Sequence, residues 1–229
     1  MIGIILVSAA SIIAAYLLGS LNFAIIISRA VRGEDIRELG NRNPGASNTG
    51  RVMGKFWGIS VMILDILKAI GPMAVARIAF FDSGSPLDDG VLYMMGIAAV
   101  LGHIFPVWYG FKGGGGVSTM TAVSLWFVPV EFLATMLICG FIALAFMRGK
   151  GYWLTQWTPI FFVTLTPFVT LIVNRFVHIP IWKGLSIGGH SWAVVAGGFA
   201  LSLILMGLNM KLLAGLFTGR RGGLRWEKD

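Results

Sequence analysis

The stretch WGISVMILDILKAIGPMAVARIAFF, residues 57–81, is a long apolar run broken by few charged residues. A helix needs about 20 such residues to cross the hydrocarbon core of a bilayer. Runs at 3–18 and 192–208 approach the same length, and hydrophobic residues make up 56% of the chain against 12% charged. Since lipid offers no partner to unsatisfied backbone groups, these runs should be helical. The sequence therefore predicts an all-α integral membrane protein, a polytopic transmembrane helical bundle.

The first apolar run continues through Gly19 to Ile27. A secretory signal peptide would instead have a basic start, a short apolar core and a small-residue cleavage site. We therefore expect a retained first span. The sequence contains no internal repeat, low-complexity tract or separate soluble segment, which predicts a single integral membrane domain over 1–229.

Charge predicts the topology. The segment 29–55 is rich in arginine and lysine, whereas the next connection, 82–90, contains three aspartates and no basic residue. By the positive-inside rule the first faces the cytoplasm, with 109–119 and a basic tail at 216–229. The run 117–146 is too long for one untilted span, and a turn near Pro129 places the tail inside. We expect about seven spans, with the amino terminus outside and the carboxyl terminus inside.

The formal net charge is +8, but the basic residues occupy short connections between apolar runs and form no continuous face. Membrane orientation and anionic substrates explain this charge better than nucleic acid, which we exclude as a partner. The single cysteine, Cys139, lies in an apolar run and is predicted to pack as a small apolar group. No histidine, cysteine and carboxylate spacing indicates a metal site.

The segment FKGGGGVST, 111–119, separates two apolar runs at the predicted cytoplasmic face. Glycine permits sharp turns and leaves backbone N–H groups uncovered, so a glycine run before a helix is typical of a phosphate cradle. The alternative is a flexible linker or a seam of close helix packing. It is no Walker motif, because the lysine precedes the glycines.

The segment GNRNPGASNTGR, 40–51, concentrates amides, hydroxyls and two guanidinium groups. Such residues form turns in solvated loops, and they also suit a phosphate or oxyanion site. Two charges, Asp65 and Lys68, lie deep in the second apolar run at i,i+3. They could pair with each other, or Asp65 could reach toward the site. His103, near the end of a span, is a candidate by its position before the glycines.

LLGS (17–20), EDIRELGNRNPGASNTGRVMG (34–54) and GHIFPVWYGFKGGGGVST (102–119), with the Asp65 and Lys68 pair, resemble the bacterial acyl-phosphate:glycerol-3-phosphate acyltransferase family. The resemblance covers roughly the first half of the chain. It implies a seven-span inner-membrane enzyme with a cytoplasmic active site. That enzyme would move a fatty acyl group from acyl phosphate to the 1-hydroxyl of glycerol 3-phosphate, giving lysophosphatidic acid and phosphate.

The resemblance and the local chemistry together predict the site. The predicted catalytic residues are Arg51, Lys112, His103 and Asn48. The predicted substrate and phosphate ligands are Asn43, Gly45, Ser47, Gly113, Gly114, Gly116, Ser118, Thr119 and Asn209. Since acyl phosphate is already activated, the site has to hold two anions and orient a hydroxyl, with no cofactor or side-chain nucleophile. The predicted partners are acyl phosphate, glycerol 3-phosphate and membrane lipid, and the predicted oligomeric state is a monomer.

The sequence departs from the family motifs at several positions. Asn41 stands where the family has serine, Arg42 where it has glycine, and Gly115 where it has lysine. In the third motif Asn209 matches, but Met206 replaces the histidine and Leu212 the arginine, and Thr218 stands in place of the glutamate. Asn41 and Arg42 are candidates to compensate, with Arg220 and Arg221 of the tail. Two alternatives therefore stay open: a catalytically silent relative that binds phospholipid precursors or partner proteins, and an anion carrier with Asp65, Lys68 and Glu131 along its path.

Overall fold

A computed structural model describes residues 2–146, 151–182 and 185–208. These parts of the chain form helices with one short hairpin. The helices are α1 (Ile2–Gly19), α2 (Phe23–Arg32), α3 (Ala46–Met53), α4 (Lys55–Ala79), α5 (Pro86–Ile104), α6 (Val117–Phe127), α7 (Pro129–Phe146), α8 (Gly151–Phe176) and α9 (Trp192–Leu208). Short 3-10 turns occupy Ile36–Glu38 and Val107–Tyr109, and strands β1 (Ile179–Trp182) and β2 (Leu185–Ile187) lie between α8 and α9.

The helical bundle agrees with the predicted all-α class, and the short hairpin is an addition that the sequence did not predict. β1 and β2 pair antiparallel, with Ile179 opposite Ile187. Glycines at positive φ, Gly188 (69°) and Gly189 (70°), follow the second strand and turn the chain toward α9. A short apolar segment with β-branched residues carries little periodicity, so the sequence alone did not separate it from a helix end.

Within the described part of the chain, three helical segments are long and apolar enough to cross a membrane: Ile2–Arg32, Lys55–Ala79 and Pro86–Tyr109. Large apolar side chains also face outward on the described bundle, including Ile5, Leu137 and Phe141, which are 63%, 70% and 75% exposed. Exposed apolar surface of this extent fits contact with lipid rather than with water. The structure is that of a multi-pass membrane protein.

The predicted break near Pro129 is confirmed. α6 ends at Phe127 and α7 begins at Pro129, which has no N–H to continue the α6 ladder. α6 has 11 residues, about 16 Å of helix, roughly half the thickness of the hydrocarbon core.

Helix α1 lies directly against α5 because glycines replace side chains at their contact. A Cβ at Gly19 would stand 2.6 Å from the Cα of Ala99, and one at Gly102 would stand 2.8 Å from the N of Ser20. Small residues allow two helix backbones to approach in this way. The Tyr16 hydroxyl then donates to the Phe105 carbonyl at 2.8 Å. The end of α1 therefore fixes the chain just before the glycine run.

The largest buried cluster joins α5, α6, α7, α8 and α9. Its members are Tyr93, Ile97, Val100, Met120, Val123, Val128, Phe132, Cys139, Phe162, Val194, Leu201 and Leu205. Cys139 is a buried free thiol, in agreement with its predicted packing role. Leu205, near the end of α9, stands 3.1 Å from the position of a Cβ on Gly116. The core therefore extends to the start of α6.

Candidate active site

The two predicted site segments lie against each other. A Cβ placed on Gly114 would stand 2.8 Å from the carbonyl oxygen of Pro44, and one on Gly115 would stand 3.9 Å from Nδ2 of Asn43. Asn22, the N-cap of α2, also donates from Nδ2 to that Pro44 carbonyl at 3.2 Å. The segments 40–51 and 111–119 therefore lie against each other, although α4 and α5 separate them in the sequence. We call the space between Asn43 and Gly115 the cleft.

Two helix N-termini lie beside the cleft. The first turn-closing bonds are Thr49 N to Gly45 O in α3 and Met120 N to Gly116 O in α6, at 3.0 and 2.9 Å. Neither Gly45 nor Gly116 supplies a side-chain cap. The earlier N–H groups of each helix therefore lack an intrahelical acceptor and carry the partial positive charge of the helix end. Such helix ends bind anions.

In the glycine run, two of the three glycines predicted to bind phosphate donate their N–H groups within the chain. Gly113 N donates to Ile104 O at 3.0 Å, and Gly114 N donates to His103 O at 3.1 Å. Both N–H groups bond to the end of α5 in this structure, and their binding of phosphate stays a prediction. These two glycines are needed for close approach: a Cβ on Gly113 would collide with the His103 carbonyl, and one on Gly114 with the His103 ring. Close packing of the chain, the alternative given for the glycine run, describes Gly113 and Gly114 better.

The other two glycines differ. Gly116 adopts φ 81° at the N-cap of α6, a left-handed conformation that favours glycine. Gly115 is open, since the nearest atom to a Cβ there is 3.9 Å away. No described residue accepts a hydrogen bond from its backbone N–H. The donors left for a ligand are therefore Gly115 and the first residues of α6.

Asn48 lies beneath the first segment, fully buried. Its Oδ1 accepts from Asn41 N at 2.9 Å, and its Nδ2 donates to Leu39 O at 3.0 Å and Ile36 O at 3.3 Å. Asn41 Oδ1 in turn accepts from Asn43 N at 3.0 Å. In this structure the Asn48 amide shapes the segment that carries Asn43, and its catalytic role stays a prediction. Asn41 acts in the same scaffold.

Sequence reasoning missed Arg37. Its Nη1 donates to the carbonyl of Tyr109 at 3.1 Å, and its Nη2 pairs with Asp35 at 2.7 Å. The hydrogen bond from the Arg37 side chain holds the pKa of the Asp35 carboxyl well below its usual range, against the opposing effect of burial. Arg37 thus ties the first segment to the chain that leads into the glycines. No motif signals this, because in the sequence it is one arginine among several.

Beneath the cleft lies a buried group of three ionisable residues, the Asp65–Lys68–His103 network. Lys68 Nζ stands 2.7 Å from Asp65 Oδ1, 2.9 Å from His103 Nδ1 and 2.8 Å from the carbonyl oxygen of Leu21. The predicted pairing of Asp65 with Lys68 is confirmed, and the alternative that Asp65 reaches toward the site also has a basis, since His103 joins the pair. The His103 ring itself lies directly under Gly114.

The remaining predicted residues lie around these contacts. Asn43, Ser47, Arg42, Arg51 and Lys112 are exposed, Gly45 and Ser118 are half-buried, and Thr119 is fully buried. The Thr119 hydroxyl has no hydrogen-bond partner within the described chain. Asn209 and the tail arginines lie outside the described residues.

A second buried acid lies elsewhere. Glu131 Oε1 accepts from Gly188 N at 2.8 Å and lies 2.9 Å from His190 Nε2. Asn174 Oδ1 accepts from His190 N at 2.6 Å. This Glu131–His190 cluster is built on the chain before α9, whereas the far end of α9 meets Gly116 at the cleft. Glu131 therefore lies on other elements than the Asp65–Lys68–His103 network.

Comparison with known proteins decides the family. The sequence profile described as "Glycerol-3-phosphate acyltransferase" matches residues 9–206. The chain belongs to the glycerol-3-phosphate acyltransferase family. The resemblance in its first half therefore extends through most of the fold.

Individual family members agree with this assignment. A glycerol-3-phosphate acyltransferase of Anaeromyxobacter sp. (strain Fw109-5) is 40% identical over 139 residues, which take in 61% of this chain and 65% of the relative. One from Shouchella clausii (strain KSM-K16) is 37% identical over 174 residues, 75% of this chain and 79% of the relative.

Two solved structures share the fold. The crystal structure of PlsY (YgiH), an integral membrane glycerol 3-phosphate acyltransferase, in its glycerol 3-phosphate form superposes with a TM-score of 0.70 at 28% identity. It covers 93% of each chain. The lysophosphatidic acid form of PlsY gives 0.69 at 27% identity, with the same coverage.

Proposed function

We propose that this family member is a membrane enzyme of phospholipid biosynthesis that moves a fatty acyl group from acyl phosphate to the 1-hydroxyl of glycerol 3-phosphate. The products would be lysophosphatidic acid and inorganic phosphate. The single observation that carries the proposal is the cleft, where two uncapped helix N-termini come together beside exposed arginine and lysine residues. The names of the relatives and the two forms of PlsY support the substrate and product.

The chemistry requires binding and orientation more than a nucleophile. The hydroxyl oxygen of glycerol 3-phosphate forms a bond to the acyl carbon, the bond from that carbon to the phosphate oxygen breaks, and the departing phosphate takes the hydroxyl proton. Two anions must therefore be held close together, although they repel. The first N–H groups of α3 and α6 hold the phosphates, and Arg51 and Lys112 neutralise their charge. Asn43, between them, orients the hydroxyl.

An apolar groove suits the acyl chain. It runs between α1 and α4 with a volume of about 540 Å³ and is lined by Ser11, Leu18, Leu21, Phe23, Leu64, Leu67, Lys68, Gly71, Pro72, Val75, Ala76 and Phe80. Leu21 and Lys68 belong both to this groove and to the network beneath the cleft. An acyl chain in the groove would therefore reach the floor of the cleft.

A membrane topology belongs to the same proposal. We propose seven spans in the bacterial inner membrane, with the amino terminus outside and the carboxyl terminus and cleft on the cytoplasmic side, in a monomer without cofactor. The basic residues of 29–55 support this orientation. A cysteine scan with a membrane-impermeant thiol reagent would test it in a Cys139→Ala background. Ser47→Cys should be protected in right-side-out vesicles and Ser83→Cys labelled, and the reverse pattern would overturn the orientation.

The activity itself is tested with the purified full-length protein, palmitoyl phosphate and glycerol 3-phosphate. We expect stoichiometric release of lysophosphatidic acid and phosphate, with turnover greatly reduced in Arg51→Ala. Absence of product above that variant would exclude the enzyme. Glycerol 3-phosphate binding without turnover would instead support the catalytically silent relative.

A further inference from the structure

We propose that Lys68, held by Asp65, is a positioning residue of the active site: it fixes His103 as the tautomer with its proton on Nε2 and directs that N–H at the junction of Pro44 and Gly114. This inference deepens the proposed function and names two residues inside a transmembrane helix as part of its machinery.

A lysine ammonium has three N–H donors and no acceptor. Three acceptors surround Lys68 Nζ within 3 Å: the Leu21 carbonyl, Asp65 Oδ1 and His103 Nδ1. The lysine side chain is 3% exposed and that of Asp65 1%, so water does not compete for these donors. An uncompensated carboxylate at such a site would be very costly, which keeps the lysine charged beside it. The contact with Asp65 is an ion pair, since Asp65 Oδ1 forms no hydrogen bond within the described chain. Because an ammonium group has no acceptor, Nδ1 of His103 must accept in the 2.9 Å contact with Lys68.

A competing arrangement would place the proton on Nδ1 and donate it to Asp65. The distance from His103 Nδ1 to Asp65 Oδ1 is 3.5 Å, longer than the 2.7 to about 3.2 Å of ordinary N–H···O bonds. The 2.9 Å contact with Lys68 is within that range. Lys68 therefore controls the tautomer, and a neutral imidazole that accepts at Nδ1 carries its hydrogen on Nε2.

The Nε2–H group of His103 lies next to the backbone of Gly114. The Nε2 edge of the ring lies directly beneath Gly114, whose Cβ position is also 2.8 Å from the Pro44 carbonyl oxygen. Among the described residues, none forms a hydrogen bond with Nε2. His103 thus presents an unused donor at the floor of the cleft, where the proposed reaction places phosphoryl oxygens. The other tautomer would present an acceptor there and repel an anion.

The tautomer can be read without any substrate. Nitrogen-15 spectra of histidine-labelled full-length protein in lipid bilayers separate protonated from unprotonated ring nitrogens. The chain has only three histidines, and His103→Gln assigns the signals. For His103 we expect an unprotonated Nδ1 and a protonated Nε2 in one species. A proton on Nδ1 would overturn the proposal, and this outcome is independent of whether the protein is an acyltransferase.

Variants then test whether Lys68 is the cause. Asp65→Asn/Lys68→Met removes both charges together, so no lone buried ion is left, and it should abolish the single Nε2–H species. Glu131→Gln/His190→Gln is the matched control, because it removes another buried acid and histidine pair remote from the cleft. That control should keep the His103 signals unchanged. A wild-type His103 pattern in the Asp65 and Lys68 double variant would contradict the proposal.

The rate supplies the second readout and rests on the proposed function. The Asp65 and Lys68 double variant should lose about 10- to 100-fold, mainly in kcat, as is usual when a partner that orients a histidine is removed. The Glu131 and His190 control should lose little of its kcat at temperatures where it stays folded. A changed tautomer with an unchanged rate would overturn the role of Nε2–H in the cleft. An inactive wild-type protein with the expected tautomer would instead refute the proposed function.

Discussion

The two buried acid and histidine groups of this chain use similar residues for different ends. In the Glu131–His190 cluster, the histidine N–H and C=O bond to Asn174, and its ring bonds to Glu131, which also accepts from Gly188. In the Asp65–Lys68–His103 network, a lysine pairs with the acid and donates to a carbonyl and to the histidine, and one edge of the histidine ring stays unused. The first group connects helices, and we propose that the second supports a binding site.

The difference shows what makes a buried polar group functional. Burial and charge are common to both groups and do not separate them. What separates them is position: the Nε2 edge of His103 lies against Gly114, next to the uncapped N-terminus of α6. Substitutions at each group and in the glycine run above the network test this contrast.

The largest expected effect is on stability. Lys68→Met leaves Asp65 buried without its cation, and removal of one partner of a buried pair costs about 3–5 kcal/mol. Chemical unfolding in mixed micelles should show a loss of this size, and Asp65→Asn/Lys68→Met should recover part of it. If Lys68→Met were as stable as the wild type, Asp65 and Lys68 would not form a buried ion pair.

The next effect separates two neighbouring glycines. Gly114→Ala places a methyl group on the His103 ring and 2.8 Å from Pro44 O, whereas Gly115→Ala meets nothing closer than 3.9 Å. Displacement of the cleft by about 1 Å should reduce kcat/KM by about 100-fold in the first variant. The second should stay close to the wild type. Equal effects in the two would show that the glycines act as a flexible linker.

A smaller effect is expected from the residue that departs from the family motif. Gly115→Lys puts an ammonium at an open position facing Asn43. A partly exposed charge pair contributes up to about 1 kcal/mol, so the Kd for glycerol 3-phosphate should fall several-fold at low salt. Calorimetry with Gly115→Gln as the neutral control measures it. Unchanged affinity would place the phosphate away from this residue.

The smallest effect concerns the Asp35–Arg37 ion pair, whose arginine also donates to the Tyr109 carbonyl. Because the pKa of Asp35 is lower in the folded protein than in the unfolded chain, its ion pair stabilises the fold above the unfolded pKa of about 3.9. This stabilisation is lost as the pH falls from there through the folded pKa. Asp35→Asn should therefore be slightly less stable than the wild type at pH 7, with the gap closing below about pH 4. A gap independent of pH would exclude the charge as its cause.

Composition and motif sequence predicted a good part of this molecule. The apolar runs, the break at Pro129, the Asp65 and Lys68 pair and the family all follow from residue type and spacing. What did not follow was the direction of backbone groups. Gly113 and Gly114 look identical to Gly115 in sequence, yet their N–H groups bond to α5 because the chain folds back there. Asn48 likewise resembles Asn43, and only burial shows that it shapes the loop while Asn43 is exposed.

The central claim is that the phosphate of glycerol 3-phosphate lies in the cleft between Asn43 and Gly115, on the helix ends of α3 and α6. A crystal structure of the full-length protein soaked with glycerol 3-phosphate tests it most directly. The account predicts phosphate oxygens within hydrogen-bond distance of the first N–H groups of α3 or α6 and of His103 Nε2. Phosphate bound elsewhere, for example beside Arg77 in the last turn of α4, with the cleft empty, would contradict it.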